Sequence, residues 1–529
     1  MRDSEELELS EDSVTRISAN RQRDQGDHDW PRNASWITMG TAAALGLLLT
    51  YQGIHLGFFH GVNEIDDGVY YGEGVTLAHG LLPYRSYLDL QPPGIALLMA
   101  PFGLLGRMTS NRMSFELARV FVVIVGAANL GLLGRLIRRR HRVAVLAGLV
   151  ALGFYIDSPT AEHTILLEPF LVFGTLVGFL IVFGDTEIAT SSASRWLVAG
   201  AVLGLTTSIK LWEVLPVMVL LVFAAMRSRR CLIHFAVGTV AGFGIICAPF
   251  FLLAPAKFVQ EVIIDQATRS HFGQVGLGFR LWNLLGAPGP GHFTLTSALF
   301  VPIALWSIFA LVVFSSIIFE RRANSNRMVT NLDACAMACL AVVGASFLLA
   351  TGYYTHYGGF LSLFLAIVLS ATAARLVPLA EPFMKIAMAI AMLGFFVIAA
   401  RGVVGNKNEP PITAALDRVF PPTVCVISTN YAPLILANRY NLYTPQCPRV
   451  LDIYGTELAD GHGIAHSATD AHVAKLQADW LGWLKRVDGI ILPSTAATSR
   501  SLGVNVRTYL RSHFSLVAIS EGLFIYRRK

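Results

Sequence analysis

Two adjacent carboxylates stand early in the first polar stretch that follows an apolar segment, "VNEIDDGVYYGEGVTLAHGLLPYRSYLDLQPPG" at residues 62–94. A carboxylate in such a loop can accept a proton from a reacting hydroxyl; Asp66 is the first choice for that role and Asp67 the second. Either can instead cap the helix that starts near Gly68, because Asp accepts backbone N–H bonds well at helix starts. Cations able to balance negative charge come from other parts of the chain. Lys210 lies in "TTSIKLWEVLP" between two apolar segments, where it is either a point charge for an anion or a lysine snorkelling from a helix end. Arg269 and Arg280, in "DQATRSHFGQVGLGFRLWN", carry guanidinium forks that fit phosphate oxygens, although an amphipathic surface helix explains them equally well. Glu168 begins an apolar run in "LLEPFLVFG", a depth at which an ionisable residue is a functional suspect, and a solvated helix start is the competing reading. His356 and Tyr357 in "YYTHYGG" can contact a polar ligand or belong to an interfacial aromatic belt.

The chain that must position these groups is close to lipid in composition. Of 529 residues, 54% are hydrophobic and 14% charged, with a mean hydropathy of +0.55, which excludes a single soluble globule and indicates a polytopic membrane protein. Lys and Arg collect in short runs between apolar segments, so the formal charge of +6 reflects topology and not nucleic acid. Residues 1–33, polar and mixed in charge, read as a disordered cytoplasmic tail. Apolar runs of spanning length occur near 35–59, 112–137, 167–184, 231–253, 296–319, 332–350, 358–376 and 383–400, with weaker ones near 143–157, 196–210 and 212–226. The short run 95–106 follows Pro92-Pro93 and is read as an interfacial helix, because only then do the basic loops 138–142, 227–230 and 320–327 fall on the side of the N-terminal tail. A membrane domain over 34–400 with about eleven transmembrane helices follows. Its first extracytoplasmic loop is 60–111, and the same face receives Lys210, the loop 254–295, the segment 352–359 and everything after 400.

The segment 405–529 has a different character. "TVCVIS" and "GIILPS" read as short buried strands, "HVAKLQADWLGWLKRV" has helical spacing and "FSLVAISEGLFIYRR" reads as a terminal hairpin, so a small extracytoplasmic α/β domain is expected. Cys231, Cys247, Cys335 and Cys339 fall in apolar stretches and read as packing residues. Cys425 and Cys447 can be bridged if their domain faces an oxidising compartment.

The ordered features of the first loop resemble those of the GT-C glycosyltransferases, multi-spanning enzymes that use polyprenyl-phosphate sugars, and in particular the family 39-like group of protein O-mannosyltransferases and aminoarabinose transferases. Bacterial members run Asp-Glu-Gly-x-Tyr, a small-residue helix, Gly-x-Pro-Tyr-x-Asp and then Pro-Pro-Gly. Here Asp66-Asp67-Gly68-Val69-Tyr70 takes the first position, with Asp67 where Glu is usual, and Leu82-Pro83-Tyr84-Arg85 and Gln91-Pro92-Pro93-Gly94 take the later ones. The resemblance implies that Asp66 is the base, that Glu168 lines the cavity and that Lys210, at the equivalent helix turn, meets the donor phosphate. Tyr84 and Arg85 join the substrate-binding candidates with Arg269, Arg280, His356 and Tyr357.

The implied activity is inverting transfer of a sugar from a polyprenyl-phosphate donor to a hydroxyl on a glycan, lipid or protein acceptor, at the outer face of the membrane. The alternative is a flippase or carrier for a lipid-linked sugar, which should place polar groups along the whole crossing. Here the ionisable residues gather on one side. No P-loop, nucleotide-binding glycine fingerprint, zinc spacing or Gly-x-Ser-x-Gly elbow is present in the sequence. No cofactor or nucleic acid is expected; a divalent ion on Asp66-Asp67 is conceivable without being predicted.

Overall fold

A computed structural model describes residues 59, 61–62, 64–153, 155, 164–184, 187–268, 275–286, 294, 296–323, 330–376, 412–459, 470–495 and 502–529. The tail 1–33, the spans expected near 35–59 (apart from Phe59) and 383–400, and Arg269 lie outside the described residues. The principal helices of the membrane part among the described residues are α1 (Ile65–Ala78), α2 (Gly94–Met108), α3 (Asn111–Leu136), α4 (Arg142–Gly153), α5 (Glu168–Phe183), α6 (Ala193–Thr207), α7 (Val214–Arg227), α8 (Arg229–Leu253), α9 (Pro255–Val259), α10 (Leu277–Leu284), α11 (Val301–Ala323), α12 (Asn331–Leu349) and α13 (Tyr357–Leu376). Among the described residues, five stretches are long and apolar enough to cross a bilayer: Asn111–Leu136, Arg229–Leu253, Ser297–Ile318, Asn331–Leu349 and Tyr357–Leu376.

The three weak apolar runs become the short helices α4, α6 and α7, of 12, 15 and 14 residues. At 1.5 Å per residue these reach about 18–22 Å, less than a hydrocarbon core. Their turns are therefore drawn in toward the membrane, and the turn between α6 and α7 carries Lys210. Close packing fixes that turn. Gly200 and Gly204 on α6 face Gly238 and Gly242 on α8, and a Cβ on any of the four would sit 2.1–2.2 Å from a carbonyl oxygen of the opposing helix. This is the small-residue spacing that lets two membrane helices touch backbone to backbone.

The C-terminal part adds α14 (Thr413–Val419), β1 (Val426–Ser428), α15 (Ala432–Leu436), α16 (Ile453–Ala459), α17 (Asp470–Leu484), β2 (Gly489–Leu492), α18 (Val504–His513), β3 (Phe514–Ser520) and β4 (Leu523–Arg528). The sheet order is β1-β2-β4-β3, with β1 parallel to β2 and the other neighbours antiparallel. β1 and β2 are wholly buried, as their unbroken apolar runs require. The hairpin turns at Glu521-Gly522, with φ of 50° and 70°, the left-handed pair that matches strand twist. Cys425 and Cys447 are disulfide-bonded with Cα atoms 5.5 Å apart, and the other four cysteines are buried thiols.

This domain shares its core with the first loop. Val69, Tyr71 and Val75 of α1 belong to one apolar cluster with Ile427, Tyr431 and Trp480. The Tyr440 hydroxyl donates to Gly72 O at 3.0 Å and pairs with Thr76 Oγ1 at 2.7 Å. The other side of α1 is anchored by a fully buried ion pair. Arg119 Nε on α3 donates to Asp67 Oδ2 at 3.1 Å, its Nη atoms hold Phe59 O and Gly61 O, and Asp67 Oδ1 accepts the Ile165 N–H at 2.8 Å.

Asp67 thus ties the loop to α3 and to the approach of α5. Removing one partner of a buried pair strands the other charge and costs about 3–5 kcal/mol. Asp67→Ala is expected to lower the melting temperature of the detergent-solubilised protein sharply; a normally stable protein with lost turnover would instead identify Asp67 as the base.

Candidate active site

Helical phase decides which residues of α1 meet the site. Asp66, Val69, Tyr70 and Glu73 fall at i, i+3, i+4 and i+7, one stripe of the helix, and all four line a narrow polar cavity. Asp67 lies about 100° round the helix and points to Arg119. Neither side chain caps α1, so the capping reading of the pair does not hold. Asp66 is half-buried and accepts a long bond, 3.4 Å, from the Tyr70 hydroxyl.

Across the cavity stands Lys210. Its Nζ donates to Glu168 Oε1 at 2.7 Å and lies 4.3 Å from the centroid of the Tyr357 ring. Both members of the ion pair are buried. Burial lowers the Lys210 pKa, but Glu168 outweighs that effect and holds the ammonium above the ordinary lysine value, so it stays charged. Each partner is fixed from behind. Asn129 Nδ2 holds Pro169 O at 2.9 Å at the start of α5, and the Gly94 N–H donates to Ser208 O at 2.8 Å, two residues before Lys210. A Cβ at Gly94 would lie 2.4 Å from that oxygen, which gives the Pro-Pro-Gly sequence its glycine. His356 Nε2 is 4.0 Å from Glu168 Oε1, and its ring stacks on Tyr354. Burial first of all holds the His356 pKa below the ordinary histidine value, with Glu168 opposing it.

The far end of the cavity is acidic. Glu73 and Asp89 are buried, and Glu73 Oε2 and Asp89 Oδ2 have no hydrogen-bond partner among the described residues. Burial, then neighbouring carboxylates, pushes both well above the usual carboxylate range. Glu261, pushed up to about 7 chiefly by burial, accepts the Asp89 N–H at 2.9 Å. Asp452 and Tyr454 from the C-terminal domain close this wall, and the Tyr354 hydroxyl donates to that of Tyr454 at 3.2 Å. Among the described residues no group of three His, Cys, Asp or Glu side chains is arranged to hold a metal.

The structure brings Asp66, Glu168, Lys210, His356 and Tyr357 together and leaves the other described candidates, Asp67, Arg280, Tyr84 and Arg85, apart. Arg280 donates to the carbonyls of Val275, Phe347, Leu348 and Ala350, closing the end of α12. Tyr84 is buried with φ of 62°, its hydroxyl on Gln91 O at 2.6 Å, and Arg85 is exposed. Glu73, Asp89, Asp452 and Tyr454 were missed by the sequence reading. Glu73 had a signal, the i+7 spacing from Asp66; Asp452 and Tyr454 had none, because only the fold brings them to α1.

Comparison with known proteins gives the class, a multi-pass membrane glycosyltransferase with the GT-C fold. The model of Glycosyltransferase family 87 matches residues 90–343, which include Glu168 and Lys210. By structure the chain is similar to ArnT from Cupriavidus metallidurans bound to undecaprenyl phosphate, at a TM-score of 0.54 and 14% identity over 92% of this chain and 97% of that one. The apo form of the same ArnT matches at a TM-score of 0.51 and 14% identity, over 92% and 98% of the two chains. No curated protein matches the chain by sequence.

Two outcomes test the geometry. Gly94→Ala is expected to push the Lys210 turn away from α2, lowering the melting temperature and reducing turnover of the protein that remains folded by about 10- to 100-fold, since small misplacements of catalytic groups are costly; unchanged melting and turnover would show that the contact does not position the lysine. Glu73→Gln addresses the acidic wall. A carboxyl whose folded pKa lies above its unfolded value of about 4.3 loses stability as pH rises between the two. The variant should melt with the wild type near pH 4 and about 2–4 °C above it at pH 8; equal melting at both would show that Glu73 carries no such penalty.

Proposed function

We propose that the protein transfers a sugar with inversion from a polyprenyl-phosphate donor to an acceptor hydroxyl, with Asp66 as base and Lys210 on the phosphate. The observation that carries the reading is that a half-buried carboxylate with no cation partner among the described residues and a charged, buried lysine line one cavity. Asp66 takes the proton from the acceptor hydroxyl as its oxygen forms a bond to the anomeric carbon. The bond from that carbon to the phosphate oxygen breaks, and the phosphate leaves with one more negative charge. Lys210 stabilises that charge as it develops, which is where an oriented cation contributes most to rate. Glu168 and the Tyr357 ring hold the ammonium, leaving its remaining donors for the phosphate.

A lipid-linked donor also needs an apolar groove. Residues of α10, α11, α12 and α13 enclose one of about 500 Å³, lined by Trp306, Leu348 and Leu361 among others. Tyr357 of the cavity and Leu361 of the groove are one turn apart on α13, so polar and apolar sites follow one helix face. The undecaprenyl phosphate in the ArnT complex supports this donor class. Bridged Cys425 and Cys447 support an outer-face location for the site and the C-terminal domain. The acceptor in this reading is a hydroxyl of a glycan, lipid or protein. Nothing in the comparisons favours a flippase.

Membranes supplied with labelled polyprenyl-phosphate sugars should form a labelled product. Asp66→Asn is expected to reduce turnover by about 10²- to 10⁴-fold with donor binding retained. Lys210→Met should weaken donor binding and also lower turnover at saturating donor, whereas Lys210→Arg keeps part of both. Near-normal turnover in Asp66→Asn would remove the base assignment, and equal activity in the two Lys210 variants would reduce that lysine to an interface marker.

A further inference from the structure

At the opposite end of the bundle, a second concavity gathers four guanidinium groups from three stretches of chain. Arg135 near the end of α3, Arg139 just beyond it, Arg195 in the first turn of α6 and Arg227 at the end of α7 all line it. Along α5, of 16 residues, it lies about 24 Å from Glu168. The concavity holds about 810 Å³, and its wall toward the membrane is apolar, formed by Leu132, Val177, Leu180 and Ile181.

Orientation in the membrane requires positive charge near helix ends, but it does not require that four arginines converge. Their neighbour shows how this chain treats a structural arginine. Arg140 is buried, and its Nε and Nη2 donate to both Glu187 oxygens at 2.8 Å, with Asp333 2.7 Å from Nη2. By contrast, no carboxylate among the described residues pairs with Arg135, Arg139, Arg195 or Arg227, and the Arg195 Nη2 has only a long contact of 3.4 Å to Leu180 O. Four exposed forks above an apolar wall present two chemistries at once: bidentate donors for phosphate oxygens and a surface for hydrocarbon.

We infer that this concavity binds the phosphate headgroup of an anionic phospholipid, with the acyl chains against Leu132, Val177, Leu180 and Ile181. On the orientation proposed above, the lipid belongs to the cytoplasmic leaflet. The site is separate from the sugar-transfer cavity and does not depend on its assignment.

Native mass spectrometry of the full chain, offered equal amounts of phosphatidylglycerol and phosphatidylcholine, tests the inference. The wild type should retain phosphatidylglycerol preferentially, and the combined variant R135Q/R139Q/R195Q/R227Q should lose the preference. R135K/R139K/R195K/R227K keeps every charge that sets topology but loses the forks, so its preference should fall about three- to tenfold. Unchanged preference in the glutamine variant, or in the lysine variant should the glutamine one fail to insert, overturns the proposal. Displacement of the lipid by excess inorganic phosphate would also overturn it, by assigning the site to a free anion.

Discussion

The buried contact between Lys210 and Glu168 is the constraint on which the site depends. Taking a lysine and a glutamate out of water costs more than their attraction reliably returns, so such a pair is weak evidence for stability. Its surroundings show what it requires instead. Asn129 on α3 fixes the start of α5, the Ile165 N–H is held by Asp67, and Gly94 of α2 binds the carbonyl of Ser208 beside the lysine. The glycine contacts of α6 with α8 set the depth from which that turn emerges. Four helices and the first loop thus cooperate to hold one ammonium charged and aimed into a cavity.

Much of this was legible in the sequence because lipid imposes strict rules. A segment that crosses a bilayer must satisfy its own backbone, so long apolar runs become helices with little choice, and nine of the expected spans correspond to described helices. The terminal hairpin was legible in its two apolar stretches, and the short apolar run after Pro92-Pro93 is the helix α2. The weak runs were harder to place because α4, α6 and α7 are shorter than a bilayer is thick.

Individual side chains were less legible, for a physical reason. Composition tells that a residue is ionisable, whereas its role depends on what faces it. Adjacent Asp66 and Asp67 differ by one helical step, yet one meets a cavity and the other a guanidinium from 52 residues away. Arg280 has the type expected of a phosphate ligand, but its guanidinium is taken up by three carbonyls at the end of α12, which a helix end leaves without intrahelical donors, and by Val275 O. Tyr84 reads as a binding residue and serves as a post inside its own loop, with Phe258 against its ring.

The C-terminal domain shows most clearly why sequence order understates this site. Read alone, 405–529 is a small α/β unit with no motif, and a membrane anchor would be enough to tether it. In the structure its helix α15 presses against Gly68, where a Cβ would meet the Ala432 nitrogen at 2.4 Å, and Tyr440 binds the backbone of α1 directly. A module so tightly fitted to α1 cannot move without moving Asp66. Asp452 and Tyr454 then stand opposite Glu73 and beside Tyr354, so the domain supplies a wall of the cavity that the membrane helices alone leave open.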